Sequence, residues 1–470
     1  MRGIPVFASQ TGRLTSMIFA VCAFGLLASV APAKADIGAY VLINAKTGAI
    51  IDQKNATRKW YPASLTKMMT AYVTFKAIRE GRATLNSTVV QSKNSLSEPP
   101  SKMGFKVGTK FTVDTALKII IIKSANDVAV ALGEAIAGSE EAFLAMMNAE
   151  AKRLGMTNTY FTNPHGLPDN RMVTTARDMA ILAMALRRDF PESRDYYKHP
   201  GIRFGKKTLR SANREFLLRV PGANGIKTGY ICNSGYNVAS SVTRGGKTLI
   251  GVILGAGSGL ERTAFARQMF DQGFKKRGGQ NIASLRGTSG NPPANGYCRR
   301  NKSPGAKAYM ARYDMEAEKK GGFLFFKANQ KNNAKVDEAG FTLANGKPDW
   351  AKILDRTLGP RRIAYRPIQV SLGNPTGAPK ASGTAVAVAA PDIPAEDVPL
   401  PTANPLRRAQ IEMRQKLQKT AEASVAGGIP QTAAARPGAA TDPAPAAPGS
   451  IFRQGLDFTV PVPAPSPRKQ

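Results

Sequence analysis

Apolar residues recur along this chain with two different periods, and the order of those periods sketches an architecture. Two short apolar runs come first, Ala39-Tyr40-Val41-Leu42-Ile43 and Ala49-Ile50-Ile51. The polar break from Asn44 to Gly48 between them predicts a hairpin turn. Leu65 to Glu80 then has a helical composition. Val113 to Ile122, Val128 to Ala137, Ala142 to Leu154 and Thr175 to Arg187 carry apolar residues at helical spacing. Strand-like runs return at Tyr236 to Val242 and Thr248 to Leu254, and a last helix is predicted over Glu261 to Phe274. Strands, then helices, then strands predict a mixed α/β unit over residues 36–285, with one helix-covered sheet built from both ends of the domain.

Beyond residue 285 the pattern thins. Residues 286–370 are basic and only patchily apolar, with Phe323-Leu324-Phe325-Phe326 and Ile363 to Val370 as candidate strands of a small module. Residues 371–470 form a tail rich in Ala, Pro and Gly. Its stretches 371–405 and 426–470 read as extended linker. Between them, Pro405 to Ser424 is a basic helix candidate with Leu406, Met413 and Leu417 on one face. Both a membrane-surface helix and a solvated one fit that thin apolar face.

The other end of the chain alters how its composition reads. Ser16 to Val30 is an apolar run preceded by Arg2 and Arg13 and followed by Ala33-Lys34-Ala35. This predicts a secretory leader over 1–35, cleaved after Ala35. A retained anchor is the alternative, although the run is short against the roughly twenty residues of a bilayer span. Export would place the mature protein in the periplasm or cell envelope, with peripheral attachment to the inner membrane left open. The formal net charge of +34 calls for acidic partners. An exported protein meets little nucleic acid, so anionic lipid headgroups and wall-peptide carboxylates are the expected ones. A merely solvated basic surface is the alternative. Cleavage leaves Cys232 and Cys298, which export permits to pair and which have no metal-site spacing.

Candidate chemistry comes from elimination and from spacing. The chain holds only two histidines, His165 and His199. Neither sits in an H-E-x-x-H pattern, so a zinc peptidase is disfavoured. His165, within Asn163-Pro164-His165-Gly166-Leu167, reads as a structural turn residue, with a Ser-His-Asp triad as the remote option. A lysine can serve as base when burial or a neighbouring cation lowers its pKa. Ser64-Leu65-Thr66-Lys67 supplies one, since residues three apart share a helix face. At a helix start the Ser64 amide is also free to help hold an oxyanion. Alone, this spacing equally fits a capping serine.

Two further segments shift that balance. Ser124-Ala125-Asn126 offers a hydroxyl for proton relay and an amide for a peptide. Lys227-Thr228-Gly229 precedes the late strands, where a strand edge can pair with an extended peptide. Lys227 adds positive potential, Thr228 a hydroxyl for a carboxylate and Gly229 room for close approach. S-x-x-K, S-D-N and K-T-G in this order are the motif set of penicillin-binding proteins and class A β-lactamases.

On these residues the chain resembles the low-molecular-weight penicillin-binding proteins, the D-alanyl-D-alanine carboxypeptidases. Leu154-Gly155-Met156-Thr157-Asn158-Thr159, Thr175-Ala176-Arg177-Asp178-Met179-Ala180 and Gly235-Tyr236-Asn237 extend the likeness over 36–285. The resemblance implies a β-lactamase/transpeptidase-like fold, an antiparallel sheet flanked by helices plus an all-helical subregion. It implies that Ser64 attacks the carbonyl between two terminal D-alanines of a peptidoglycan stem peptide and Lys67 takes its proton. Ser124 and Lys227 would pass a proton to the departing amine, and Asn126 would hold the substrate backbone. The amides of Ser64 and Tyr230 would form the oxyanion hole beside Gly229, and Thr228 would contact the terminal carboxylate. No metal or organic cofactor is required, and β-lactams would acylate Ser64. Ala125 replaces the Asp or Gly common at the second motif. The carboxylate-binding arginine of relatives has only Arg262 as a candidate, reached across Leu254-Gly255-Ala256-Gly257-Ser258-Gly259. The absence of a Glu-x-x-Leu-Asn segment between Ser124 and Lys227 disfavours a β-lactamase. A D,D-endopeptidase acting on cross-links is the main alternative, and a non-catalytic wall-binding protein the lesser one.

Overall fold

The computed structural model describes residues 37–287, 290–300, 341, 343, 348–362 and 365–373. The leader 1–35, the candidate strand 323–326 and the basic helix 405–424 lie outside the described residues.

The chain starts in the predicted hairpin, β1 (Ala39–Asn44) and β2 (Ile50–Lys54). A short 3-10 turn, Ala63–Thr66, leads into α1 (Lys67–Arg79). The small hairpin β3 (Thr88–Val90) and β4 (Lys110–Thr112) precedes α2 (Val113–Lys118). A π-turn, Ile119–Lys123, continues α2 and ends at Ser124. There follow α3 (Asn126–Ala137), α4 (Glu140–Arg153) and α5 (Ala176–Asp189). Next come β5 (Gly201–Phe204), β6 (Lys207–Arg210) and α6 (Arg214–Arg219). The long strands β7 (Ala223–Ile231), β8 (Gly235–Arg244) and β9 (Lys247–Ala256) lead into α7 (Gly259–Gly273). Finally α8 (Trp350–Leu358) and β10 (Ile368–Val370) return to the same body.

Helix starts follow local chemistry. Ser139, Thr175 and Ser258 each accept a hydrogen bond from the amide three residues on, which fixes the first turns of α4, α5 and α7. α1 is buried on nearly every side, including Lys67, Thr70 and Thr74, so it lies inside the helical layer rather than on its surface.

The main sheet is antiparallel with strand order β2-β1-β9-β8-β7. It is built from both ends of the domain, as the periodicity predicts. Its two faces follow the period of two. Ala39, Val41 and Ile43 of β1 and Ile250, Val252 and Leu254 of β9 enter the large core shared with α1, α3 and α5. Leu42, Leu249 and Ile253 face the opposite way, into a second core with Phe216 of α6 and Met269 and Phe270 of α7. The β-lactamase/transpeptidase-like arrangement is therefore present: an antiparallel sheet between two helical layers, one enlarged into a helical subregion. β7 closes one edge of this sheet and carries Lys227, Thr228 and Gly229.

The described pieces beyond residue 285 rest against this body. β10 pairs in parallel with β5, Ile368 opposite Ile202. Leu358 of α8 is buried against Ala264 of α7. Arg219 donates to the Gly359 carbonyl at 2.5 Å and forms an ion pair with Asp355. Cys232, just past β7, is disulfide-bonded to Cys298 across 66 residues. Tyr297 then packs edge-on against Trp60 at 5.3 Å. No helix among the described residues is long and apolar enough to cross a membrane.

A cross-link of that span removes chain entropy worth about 2–4 kcal/mol from the unfolded state. Cys298→Ser is expected to lower Tm by roughly 5–15 °C. Dithiothreitol should do the same to the wild-type protein and nothing further to the variant, as followed by circular dichroism.

Candidate active site

The nucleophile candidate sits on a turn clamped from three sides. Ser64 is second in the 3-10 turn, and its hydroxyl caps no helix amide. Ala63 before it holds φ at 49°, a left-handed conformation uncommon for a residue with a Cβ. A Cβ on Gly166 would lie 1.9 Å from the Ala63 carbonyl oxygen, so only glycine permits this contact. From β8, Asn237 Nδ2 donates to the carbonyls of Tyr61 at 3.0 Å and Pro62 at 3.3 Å. From β7, a Cβ on Gly229 would stand 3.0 Å from the Ser64 amide nitrogen. The edge strand and the serine turn thus share one narrow space. An amide in the first turn of a helix has no partner within it, so Ser64 N is available there.

Lys67 begins α1 one turn further on and is fully buried. Its Nζ lies 2.7 Å from Asn126 Oδ1, 2.8 Å from the His165 carbonyl oxygen and 3.2 Å from Ser64 Oγ. Burial drives its pKa well below the ordinary lysine value, and the nearby Lys227 cation adds to this. Glu98 and Asp127 oppose both effects. A neutral amine has two N–H donors and one lone pair. The two carbonyl-type oxygens are the shorter contacts and can only accept. In the neutral form they would take the two N–H groups and leave the lone pair toward the Ser64 hydroxyl, 3.2 Å away. This is the geometry of a serine with its proton acceptor in place.

A second buried lysine stands across the space. Lys227 Nζ donates to Ser124 Oγ and to the Thr228 carbonyl oxygen, both at 2.8 Å. Burial, with the Arg262 cation second, lowers its pKa to about 7. Ser124 reaches it because the π-turn ends there in a left-handed residue, φ 67°. Asn126, two residues later, is fixed at both ends of its amide. Oδ1 accepts from Lys67, and Nδ2 donates to the Pro99 carbonyl at 2.9 Å. Thr228 is largely buried beside Lys227, whereas the Tyr230 ring is half exposed and lies 4.3 Å from that of Tyr236. Arg262 comes up from α7 behind the sheet and is buried. It donates to the carbonyls of Ala212 at 3.1 Å and Asn237 at 3.3 Å, and burial lowers its pKa to about 10. Its charge is felt at Lys227, while its guanidinium is held by backbone oxygens.

The structure therefore gathers Ser64, Lys67, Ser124, Asn126, Lys227, Thr228 and Gly229 around one point, with Tyr230 at the rim and Arg262 behind. Three contributors escape a reading by motif. The His165 backbone, not its ring, contacts Lys67. The ring is engaged at both nitrogens, Nδ1 accepting from the Leu167 amide at 3.2 Å and Nε2 lying 3.0 Å from Glu98. Glu98 lies in Ser97-Glu98-Pro99, a polar loop with no signal of its own. Asn237 holds the segment entering the serine turn; only the Gly235-Tyr236-Asn237 resemblance points to it.

Fold and site together resemble those of the penicillin-recognising serine peptidases. The family model described as D-alanyl-D-alanine carboxypeptidase matches residues 27–258, and the chain belongs to that family. It is 37% identical over 266 residues to D-alanyl-D-alanine carboxypeptidase DacC of Escherichia coli, covering 55% of this chain and 66% of that one. It is 35% identical over 241 residues to DacF of Bacillus subtilis, covering 50% and 61%. Among solved structures, penicillin-binding protein 5 of Haemophilus influenzae is similar with a TM-score of 0.50 and 33% identity, over 53% of this chain and 73% of that one. The chain spans just under two thirds of the length of these curated relatives.

Two outcomes test the site itself. Lys67→Arg keeps the length but stays cationic, and is expected to slow acylation by penicillin about 10²–10⁴-fold, read as adduct formation by mass spectrometry. Lys227 gives a stability test. Its folded pKa of about 7 lies below the ordinary lysine value of 10.5. Between those limits the unfolded chain binds the extra proton, so stability rises with pH. The urea midpoint of wild type relative to Lys227→Met is expected to rise from pH 7 to 9.5 and to stay level below pH 7.

Proposed function

We propose that the protein is a serine-type D-alanyl-D-alanine carboxypeptidase that removes the terminal D-alanine from peptidoglycan stem peptides through a Ser64 acyl-enzyme. The observation that carries this reading is the buried Lys67 Nζ set 3.2 Å from Ser64 Oγ, with two shorter contacts to oxygen acceptors.

The steps follow from the arrangement. The peptide lies extended along the free edge of β7, with its last carboxylate toward the Thr228 hydroxyl. The positive potential of Lys227, with Arg262 behind it, attracts that carboxylate. Asn126 holds the substrate backbone from the other side. As Ser64 Oγ attacks the penultimate carbonyl carbon, its proton passes to Lys67. The developing oxyanion is stabilised by the amides of Ser64 and Tyr230, donors already in place before charge appears. Collapse breaks the C–N bond, and the leaving D-alanine amine receives a proton by way of Ser124 and Lys227. Water activated by Lys67 then cleaves the ester and regenerates Ser64. A β-lactam presents the same carbonyl and carboxylate and stops at the acyl-enzyme.

Such a substrate lies outside the cytoplasm. The 1–35 leader and the charge of +34 support work in the periplasm or envelope, and the basic tail supports contact with an anionic membrane surface.

Mature protein incubated with a pentapeptide ending in D-Ala-D-Ala is expected to release free D-alanine. With labelled penicillin it should form one adduct on the peptide containing Ser64. Ser64→Ala should lose both. An undiminished adduct in that variant would assign the nucleophile elsewhere.

A further inference from the structure

At the end of the sheet remote from Ser64 the protein carries a second cavity. Asn237 near the start of β8 touches the serine turn. The β8–β9 turn at Gly245 and Gly246 lies at the strand's other end, seven or more residues on, roughly 25 Å away. There the turns 44–47 and 245–248 and the C-terminal end of α5 enclose a cavity of about 650 Å3. Lys46, Arg187, Arg188, Arg194 and Lys247 line it, and no carboxylate does. Arg188 is paired with Asp189 at 2.6 Å. Among the described residues no carboxylate pairs with the other four cations. The acids nearest Arg194 in sequence are taken, Asp195 by Lys198 and Glu192 by Arg79.

Arg187 is half-buried and donates to Thr248 Oγ1 at 3.1 Å. Burial, and next the cation of Arg194, push its pKa below the ordinary arginine value. Two guanidinium groups thus face one cavity and repel each other, a state that a shared multivalent anion would relieve. Planar forks of N–H donors suit tetrahedral oxyanions. A carboxylate offers two oxygens and one charge; a phosphate offers three free oxygens and up to two charges, enough to engage both arginines and a lysine together.

We propose that this cavity binds a phosphate group, held between Arg187 and Arg194 with Lys46 and Lys247 around it. The site is separate from the Ser64 pocket and independent of the reading given to that pocket. A soluble phosphomonoester has this full set, and a phospholipid headgroup, a diester with two free oxygens and one charge, shares the tetrahedral oxyanion and can bridge the two arginines.

The test uses the full chain. Titration calorimetry with inorganic phosphate at constant ionic strength is expected to show binding that weakens tenfold or more in Arg187→Gln/Arg194→Gln. Arg187→Lys/Arg194→Lys, which keeps charge but loses the forks, should show an intermediate loss. Lys93→Gln/Lys106→Gln, altering exposed cations elsewhere, should leave it unchanged. Circular dichroism and Tm verify folding, and the lysine pair serves if the glutamine pair does not fold. Cosedimentation with phosphatidylcholine vesicles containing phosphatidylglycerol identifies the source. A bound fraction that also falls in the double variants marks a lipid headgroup; a loss confined to free phosphate marks a soluble ligand. Equal phosphate binding in wild type, control and both double variants, or none in any of them, would overturn the proposal.

Discussion

A lysine amine withdrawn from water is the constraint on which the rest of this structure depends. Burying a cation is costly, and a buried lysine responds by giving up its proton. Lys67 is placed where that response is useful, because its remaining contacts are oxygens that accept and a serine hydroxyl that can do either. Lys227 makes the charged form of Lys67 costlier still, and Arg262 does the same to Lys227. Three cationic side chains are thus graded from the back of the sheet to the nucleophile. Glu98 and Asp127 act in the opposite sense and limit the depression. Asp127 is itself bound by the amides of Met103 and Gly104, which keeps it from collapsing onto the lysine.

Holding two neutral or half-neutral amines in register demands a rigid surround, and the fold supplies it from separate layers. α1 brings Lys67 from inside the helical layer, the π-turn brings Ser124, and β7 brings Lys227 from the sheet edge. A free sheet edge is ordinarily a liability. Here it lies directly beside the serine turn, with Gly229 against the Ser64 amide. Gly229 and Gly166 set how close these layers come, since a Cβ at either would push on the Ser64 turn.

Much of this is legible in the residues. Ser64 and Lys67 are one turn apart in any helix, and the long apolar periods of α3, α5 and β9 locate the core. The exceptions have physical reasons. Ala223–Ile231 is a full strand at the sheet edge, yet its Gly, Asn, Lys and Thr mask the apolar alternation, because Lys227, Thr228 and Gly229 line the candidate site instead of filling the core. The isoleucines at 119–122 read as plain helix, whereas the π-turn they form is what presents Ser124. Lys227 and Ser124 meet across 103 residues, and no local pattern records such a contact. The small strands β3, β4, β5 and β6 are too short to show a period. Glu98 is invisible because its effect on Lys67 acts through space from a proline-bounded loop. The resemblance to a known family, rather than composition or spacing, linked the separated segments.

The sheet also imposes an order of events. β1 lies between β2 and β9, with Ala39 opposite Leu254, so the first strand made is completed by one of the last. Until residue 256 is available, β1 and β2 are an isolated hairpin, which is marginal in water by itself. The serine turn directly after that hairpin is clamped by Asn237 and Gly229, which arrive equally late. Contacts of such long sequence separation slow folding, and the nucleophile is therefore assembled only when the whole domain is. A partly made chain carries Ser64 and Lys67 but lacks Lys227, Gly229 and Asn237 around them, so topology leaves the site incomplete until synthesis has passed β9.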